Sequence, residues 1–134
     1  MQFYRGTQFP TKYQNGAFAA FHGSWNRNAG TGYKLVFIPF GEDNRPQGYY
    51  EDFIKGFLVD PQGPRTWGRP VGILELKDGS LLVSDDGHGR LYRIEYVKSI
   101  SRRQVKATTA ILNSATTINI HIGLFVCLIL SLFR

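Results

Sequence analysis

The 134-residue chain holds a single cysteine, Cys127, so no intrachain disulfide can staple it. That residue lies in an apolar run and reads as an inert apolar thiol. With three scattered histidines, one thiolate also excludes a zinc site, and no run of alternating Asp, Asn and Gly supplies the oxygens a calcium loop needs. No window of the first 97 residues carries a persuasive helical stripe. Met1–Pro10 has neither the basic opening nor the apolar stretch of a secretory signal, so either the protein stays inside the cell or its true start lies elsewhere. Acidic residues are missing from 98–134, which has 5 basic side chains, whereas Met1–Val97 has 11 Lys and Arg against 10 Asp and Glu. The net charge of +6 thus belongs mainly to the tail. A near-neutral body without clustered cations excludes a nucleic-acid interface.

What the body does contain is short aromatic and β-branched runs, parted by Gly, Pro, Asn and Asp: Gly16–His22, Tyr33–Phe40, Tyr50–Phe57, Val71–Leu76, Leu81–Asp85 and Leu91–Val97. These predict six short strands. Lys77-Asp78-Gly79-Ser80 predicts a tight hairpin with positive φ at both central residues, and Asp86-Gly87-His88-Gly89 a second turn. Leu91–Tyr96 alternates apolar and charged residues, as a strand with one wet face does. The fold class expected is all-β.

Near Val97–Arg103 the composition changes, predicting a body over 1–97 and a basic, apolar tail over 98–134. The stretch 118–133 is slightly short of the ~20 residues that span a bilayer as a helix. Flanking Arg102, Arg103, Lys106 and Arg134 suit a membrane contact, and Asn113-Ser114-Ala115 suits a lipid-anchor signal. A gene-model artefact beyond the domain end explains the tail equally well.

Three polar blocks carry the candidate chemistry: His22-Gly23-Ser24-Trp25-Asn26-Arg27, Trp67-Gly68-Arg69-Pro70-Val71-Gly72 and Asp78–Gly87. Arg69, just before a strand, offers a guanidinium suited to bidentate pairing with a planar anion, or it anchors its own loop. His22 is the candidate catalytic residue, because an imidazole exchanges protons near neutral pH without large tuning; the alternative is a half-buried histidine satisfying a backbone group. Asp85 ends a strand and is a candidate either to orient Arg69 or to contact a ligand, with Asp86 as the turn former. Arg27 and Asn26 can reach the same face, while Lys34 is expected to face solvent. His88, in a solvated turn, and His121, inside the tail, are weaker candidates. Trp25 and Trp67 either wall a ligand site or fill the core.

Together with Phe3–Pro10 and Gly32-Tyr33-Lys34, these blocks resemble the C-terminal part of the glucose/sorbosone dehydrogenase family, the soluble pyrroloquinoline-quinone-dependent sugar dehydrogenases, over about Phe3–Tyr96. The resemblance implies the last one or two blades of a six-bladed β-propeller, with a helical form left open for the hydrophobic tail. It implies oxidation of a sugar, sugar aldehyde or polyol by hydride transfer to pyrroloquinoline quinone and on to an external electron acceptor. It also implies a periplasmic or extracellular setting, and a calcium ion whose ligands come mostly from blades outside this chain. Carried over by position, Arg69, His22, Asp85 and Arg27 would contact the cofactor, with no metal ligand here. A propeller site is assembled from several blades, so the chain alone is expected to be inactive. The competing expectations are a non-catalytic propeller-type binding module and a membrane-anchored interaction protein.

Overall fold

A computed structural model describes residues 1–63 and 65–96, and the backbone of 120–122 and 125–131. The expected boundary at 97–103 and the segment 107–114 lie outside the described residues. The strands in chain order are β1 (Gln2–Tyr4), β2 (Gly16–Phe21), β3 (Lys34–Pro39), β4 (Glu51–Ile54), β5 (Leu58–Asp60), β6 (Arg65–Thr66), β7 (Pro70–Glu75), β8 (Leu81–Asp85), β9 (Arg90–Tyr96), β10 (Ile120–Ile122) and β11 (Phe125–Ser131). A short 3-10 turn, Thr11–Tyr13, joins β1 to β2, and there is no α-helix among the described residues. The protein is all-β, built of three antiparallel sheets: β1-β2-β3-β4, β10-β11-β9-β8-β7 and the pair β5-β6.

The first sheet exists because aromatic residues fall opposite one another. Phe18 of β2 pairs with Phe37 of β3, ring centroids 5.1 Å apart, and Phe53 of β4 approaches Phe18 to 4.5 Å. Tyr4, Phe9 and Tyr13 close over the same rings. Each such fully buried ring contributes roughly 2–3 kcal/mol by leaving water. In the second sheet β8 alternates with period two, placing Leu81, Val83 and Asp85 inward. The inward residues of both sheets, from Phe18 and Leu35 to Leu81, Tyr92 and Ile94, form one core.

The hairpin between β7 and β8 differs from the two-residue turn expected. Only Gly79 has positive φ, at 83°; the Gly79 N–H donates to Leu76 O at 2.9 Å and the Leu76 N–H to Ser80 O at 2.8 Å. This is a turn of ordinary hand followed by a left-handed glycine, the geometry of a longer hairpin loop, and Asp78 contributes through its side chain instead. Its carboxylate accepts from the Ser80 N–H at 3.0 Å and the Ser80 hydroxyl at 2.6 Å.

The helical form left open for the tail is corrected over its described residues: 120–122 and 125–131 are extended. β11 pairs antiparallel with β9, Cys127 opposite Ile94, and β10 pairs with β11. A run dense in Ile, Val, Leu and Phe suits a strand, and here it satisfies the backbone edge of β9, which would otherwise be open. No helix among the described residues is long and apolar enough to cross a membrane.

Candidate functional site

The polar residues gather where three strand ends meet. His22 follows the last residue of β2, Arg69 precedes β7, and Asp86 follows β8. Their side chains converge: Arg69 Nη2 lies 2.5 Å from His22 Nε2, Asp86 Oδ2 lies 3.6 Å from the same ring nitrogen, and Asp86 Oδ1 lies 3.8 Å from Arg69 Nε. The other ring nitrogen, Nδ1, stands 3.3 Å from the carbonyl oxygen of Pro70. A carbonyl can only accept and a guanidinium can only donate, so these two contacts require a hydrogen on Nδ1 and a lone pair on Nε2. In that tautomer the ring turns its basic nitrogen to Arg69. All three side chains are between a third and two thirds exposed, open enough for a ligand to reach them.

Beneath this trio sits a buried carboxylate. Asp85 has 2% exposure and points into the core, as the alternation of β8 requires. Its Oδ1 accepts from the Arg69 N–H at 2.8 Å and the Gly87 N–H at 2.9 Å, and its Oδ2 accepts from the Tyr92 hydroxyl at 2.5 Å. Burial works against the charge, yet the Tyr92 hydroxyl and the two N–H donors together hold the carboxyl below the usual carboxylate range. The same burial, with Asp85 alongside, pushes the Tyr92 hydroxyl well up. Gly68 lets the chain pass over this post, for a Cβ there would come within 2.8 Å of the Tyr92 hydroxyl oxygen and 3.0 Å of Asp85 Oδ2.

Of the two parts open to Asp85, its geometry is that of holding Arg69, and Asp86 is not confined to the turn. Asp85 makes the local bonds of a turn former and is not presented to a ligand, while Asp86 reaches the exposed trio. The period-two pattern Leu81-Val83-Asp85 was the signal available for this. Arg27 does not join the trio; it lines a neighbouring cleft of about 360 Å³ with His22, Ser24, Lys34 and Tyr50. Lys34, expected in solvent, is pinned by Asp52 at 2.5 Å and lies 5.0 Å from the Tyr50 ring centre. Trp67 takes the core role, stacked 5.7 Å from Tyr92, whereas Trp25 is 96% exposed. His88 is tied to the post, Nδ1 3.7 Å from Asp85 Oδ2. The side chains of His121 and Cys127 lie outside the described residues. No group of three or more His, Cys, Asp and Glu side chains is placed to hold a metal ion among the described residues.

Residues 1–97 match the TrAA12-like family. The chain belongs to the TrAA12-like family. Its membership corrects the resemblance to the glucose/sorbosone dehydrogenase family, because the blocks that carried that resemblance all fall inside the stretch matched as TrAA12-like. Those blocks are Gly- and Asp-bearing pieces at strand ends, a chemistry that recurs wherever tight turns join strands and does not single out a family. The TrAA12-like body is also similar to an uncharacterized protein of Borreliella burgdorferi, 41% identical over 98 residues, 73% of this chain. The chain spans about a quarter of the length of that curated relative, 25%. No solved structure matches the TrAA12-like chain.

Proposed function

We propose that the strand-end trio forms one edge of a site for a planar, carboxylate-bearing redox cofactor, pyrroloquinoline quinone being the example, in a protein that oxidises a sugar or polyol. The observation that carries the reading is the contact between Arg69 and His22: a guanidinium able to pair with a carboxylate lies against a basic imidazole nitrogen. When bound, such a quinone supplies the two-electron acceptor for hydride. Arg69 would orient the ligand's carboxylate, and His22 Nε2 would take the substrate's proton.

The fit is to one carboxylate edge. Asp86 already stands loosely beside Arg69, and at 57% exposure its side chain can yield to an incoming anion at little cost. Arg27, in the adjoining cleft and without an ion pair among the described residues, adds positive charge. Pairing every carboxylate of a multiply anionic ring would need cations from sheets beyond this chain. Calcium has no seat among the described residues, and no part of the proposal runs through it.

For the architecture, the antiparallel order β1-β2-β3-β4 and the run β7-β8-β9-β11 favour two neighbouring blades of a propeller, whose strand ends would face a common axis. Equilibrium titration of the 134-residue chain with pyrroloquinoline quinone tests the site. Saturable binding, weakened at least about tenfold by Arg69→Lys through loss of the planar fork, is expected. Binding indifferent to Arg69→Lys and to His22→Gln overturns the reading.

A further inference from the structure

We infer that Asp85, braced by Tyr92, is the positioning residue of this site: it fixes the main chain at Arg69 and thereby the tautomer of His22. The inference deepens the proposed site and rests on it for its meaning, but its geometry stands apart from any ligand.

Arg69 begins no helix and lies just outside β7, so the strand ladder does not hold its backbone. What holds it is the Asp85 carboxylate, accepting the Arg69 N–H at 2.8 Å. The same oxygen accepts the Gly87 N–H at 2.9 Å, tying the turn that bears Asp86 to the segment that bears Arg69. One buried atom thus sets two of the three members of the trio. The third follows, because His22 contacts the trio through Arg69 Nη2 on one side and through the carbonyl of Pro70, the next residue, on the other. Displacing the Arg69–Pro70 backbone alters both bonds that select the Nδ1–H form. Asp85 itself cannot wander: its side chain is fully buried, and Tyr92, with its ring packed against Phe57 and Trp67, closes the second oxygen at 2.5 Å. Rigid support of this kind keeps a binding constellation in register.

The test reads His22 directly, by ¹⁵N chemical shifts of its ring nitrogens in the full chain without ligand. The unaltered protein is expected to show Nδ1 protonated and Nε2 bare. In Asp85→Ala the Nε2–H form should appear beside it, and affinity for benzene-1,3,5-tricarboxylate should fall about tenfold, the scale on which outer supports of a liganding group act in metal sites. Asp85→Asn keeps an oxygen acceptor for both N–H groups and should restore the original nitrogen shifts. If Asp85→Ala proves unfolded by circular dichroism, Tyr92→Phe takes its place, removing one brace while keeping the ring, and should give the same change at smaller amplitude. His22 shifts that stay put in the folded variant, or an Asp85→Asn protein that fails to restore them, overturn the inference. A chain that shows the tautomer change yet binds no tricarboxylate supports the positioning role and refutes only the cofactor reading.

Discussion

The two main sheets are held together by different physics. In β1–β4 the contacts are aromatic: Phe18 touches Tyr4, Phe9, Tyr13, Phe37 and Phe53, and the Tyr4 hydroxyl donates to Gly79 O at 2.8 Å. In β7–β9 the apolar interior ends in a buried carboxylate, Asp85, with three donors on its two oxygens. Ring packing is strong but indifferent to small rotations, whereas hydrogen bonds demand particular angles. The first sheet therefore supplies stability, and the second supplies aim. The trio sits at the join, with His22 carried by the aromatic sheet and Arg69 and Asp86 by the polar one.

Four measurements sharpen or break that division. The largest effect is expected for Phe18→Ala, which empties the middle of the aromatic cluster: a loss of about 3–5 kcal/mol in urea unfolding. A loss under about 1 kcal/mol would show that the first sheet does not anchor the fold. Asp85→Ala comes next, at about 2–3 kcal/mol, because it strands two backbone N–H groups and the Tyr92 hydroxyl without an acceptor.

Next comes the pH profile, whose two limbs belong to the second sheet. Asp85 has its carboxyl held below the ordinary value of 3.8, so its stabilisation is complete above that value and drains away as pH falls further, through the folded-state titration. Tyr92 is shifted the other way, so its contribution is complete below its ordinary value of 10.0 and fades as pH rises beyond it. Melting temperature against pH should therefore droop at both extremes, and Tyr92→Phe should flatten the alkaline limb. An unchanged alkaline limb would remove Tyr92 from the polar post. The smallest effect is expected for Lys12→Ala, which breaks the exposed pair with Glu51 at 3.5 Å and should shift stability by no more than about 0.5 kcal/mol.

Much of the sheet pattern was legible residue by residue. Leu81–Asp85 is a strand with the bounds its composition suggested, and Gly16–His22, Tyr33–Phe40, Val71–Leu76 and Leu91–Val97 each differ from β2, β3, β7 and β9 by a residue or so at the ends. β-branched and aromatic runs bounded by turn formers are local signals. β1, β5 and β6 were not legible, because strands of two or three residues carry too little period to read. The run Tyr50–Phe57 shortened to β4, Glu51–Ile54. Within the site, His22 and Arg69 were visible as residue types, but which of its two expected parts Asp85 takes turns on its inward place on β8.

By itself the order of residues determined an all-β body, a hairpin at Asp78-Gly79 and a charge balance confined near zero over 1–97, since each depends on neighbours a few positions away. Only tertiary structure decided that residues 22, 69 and 86 share one corner, that Asp85 serves the chain from within, and that the apolar tail joins β9 as a strand. Those outcomes rest on contacts between residues separated by up to dozens of positions, where a hydrogen bond forms only if two strands first pack against each other.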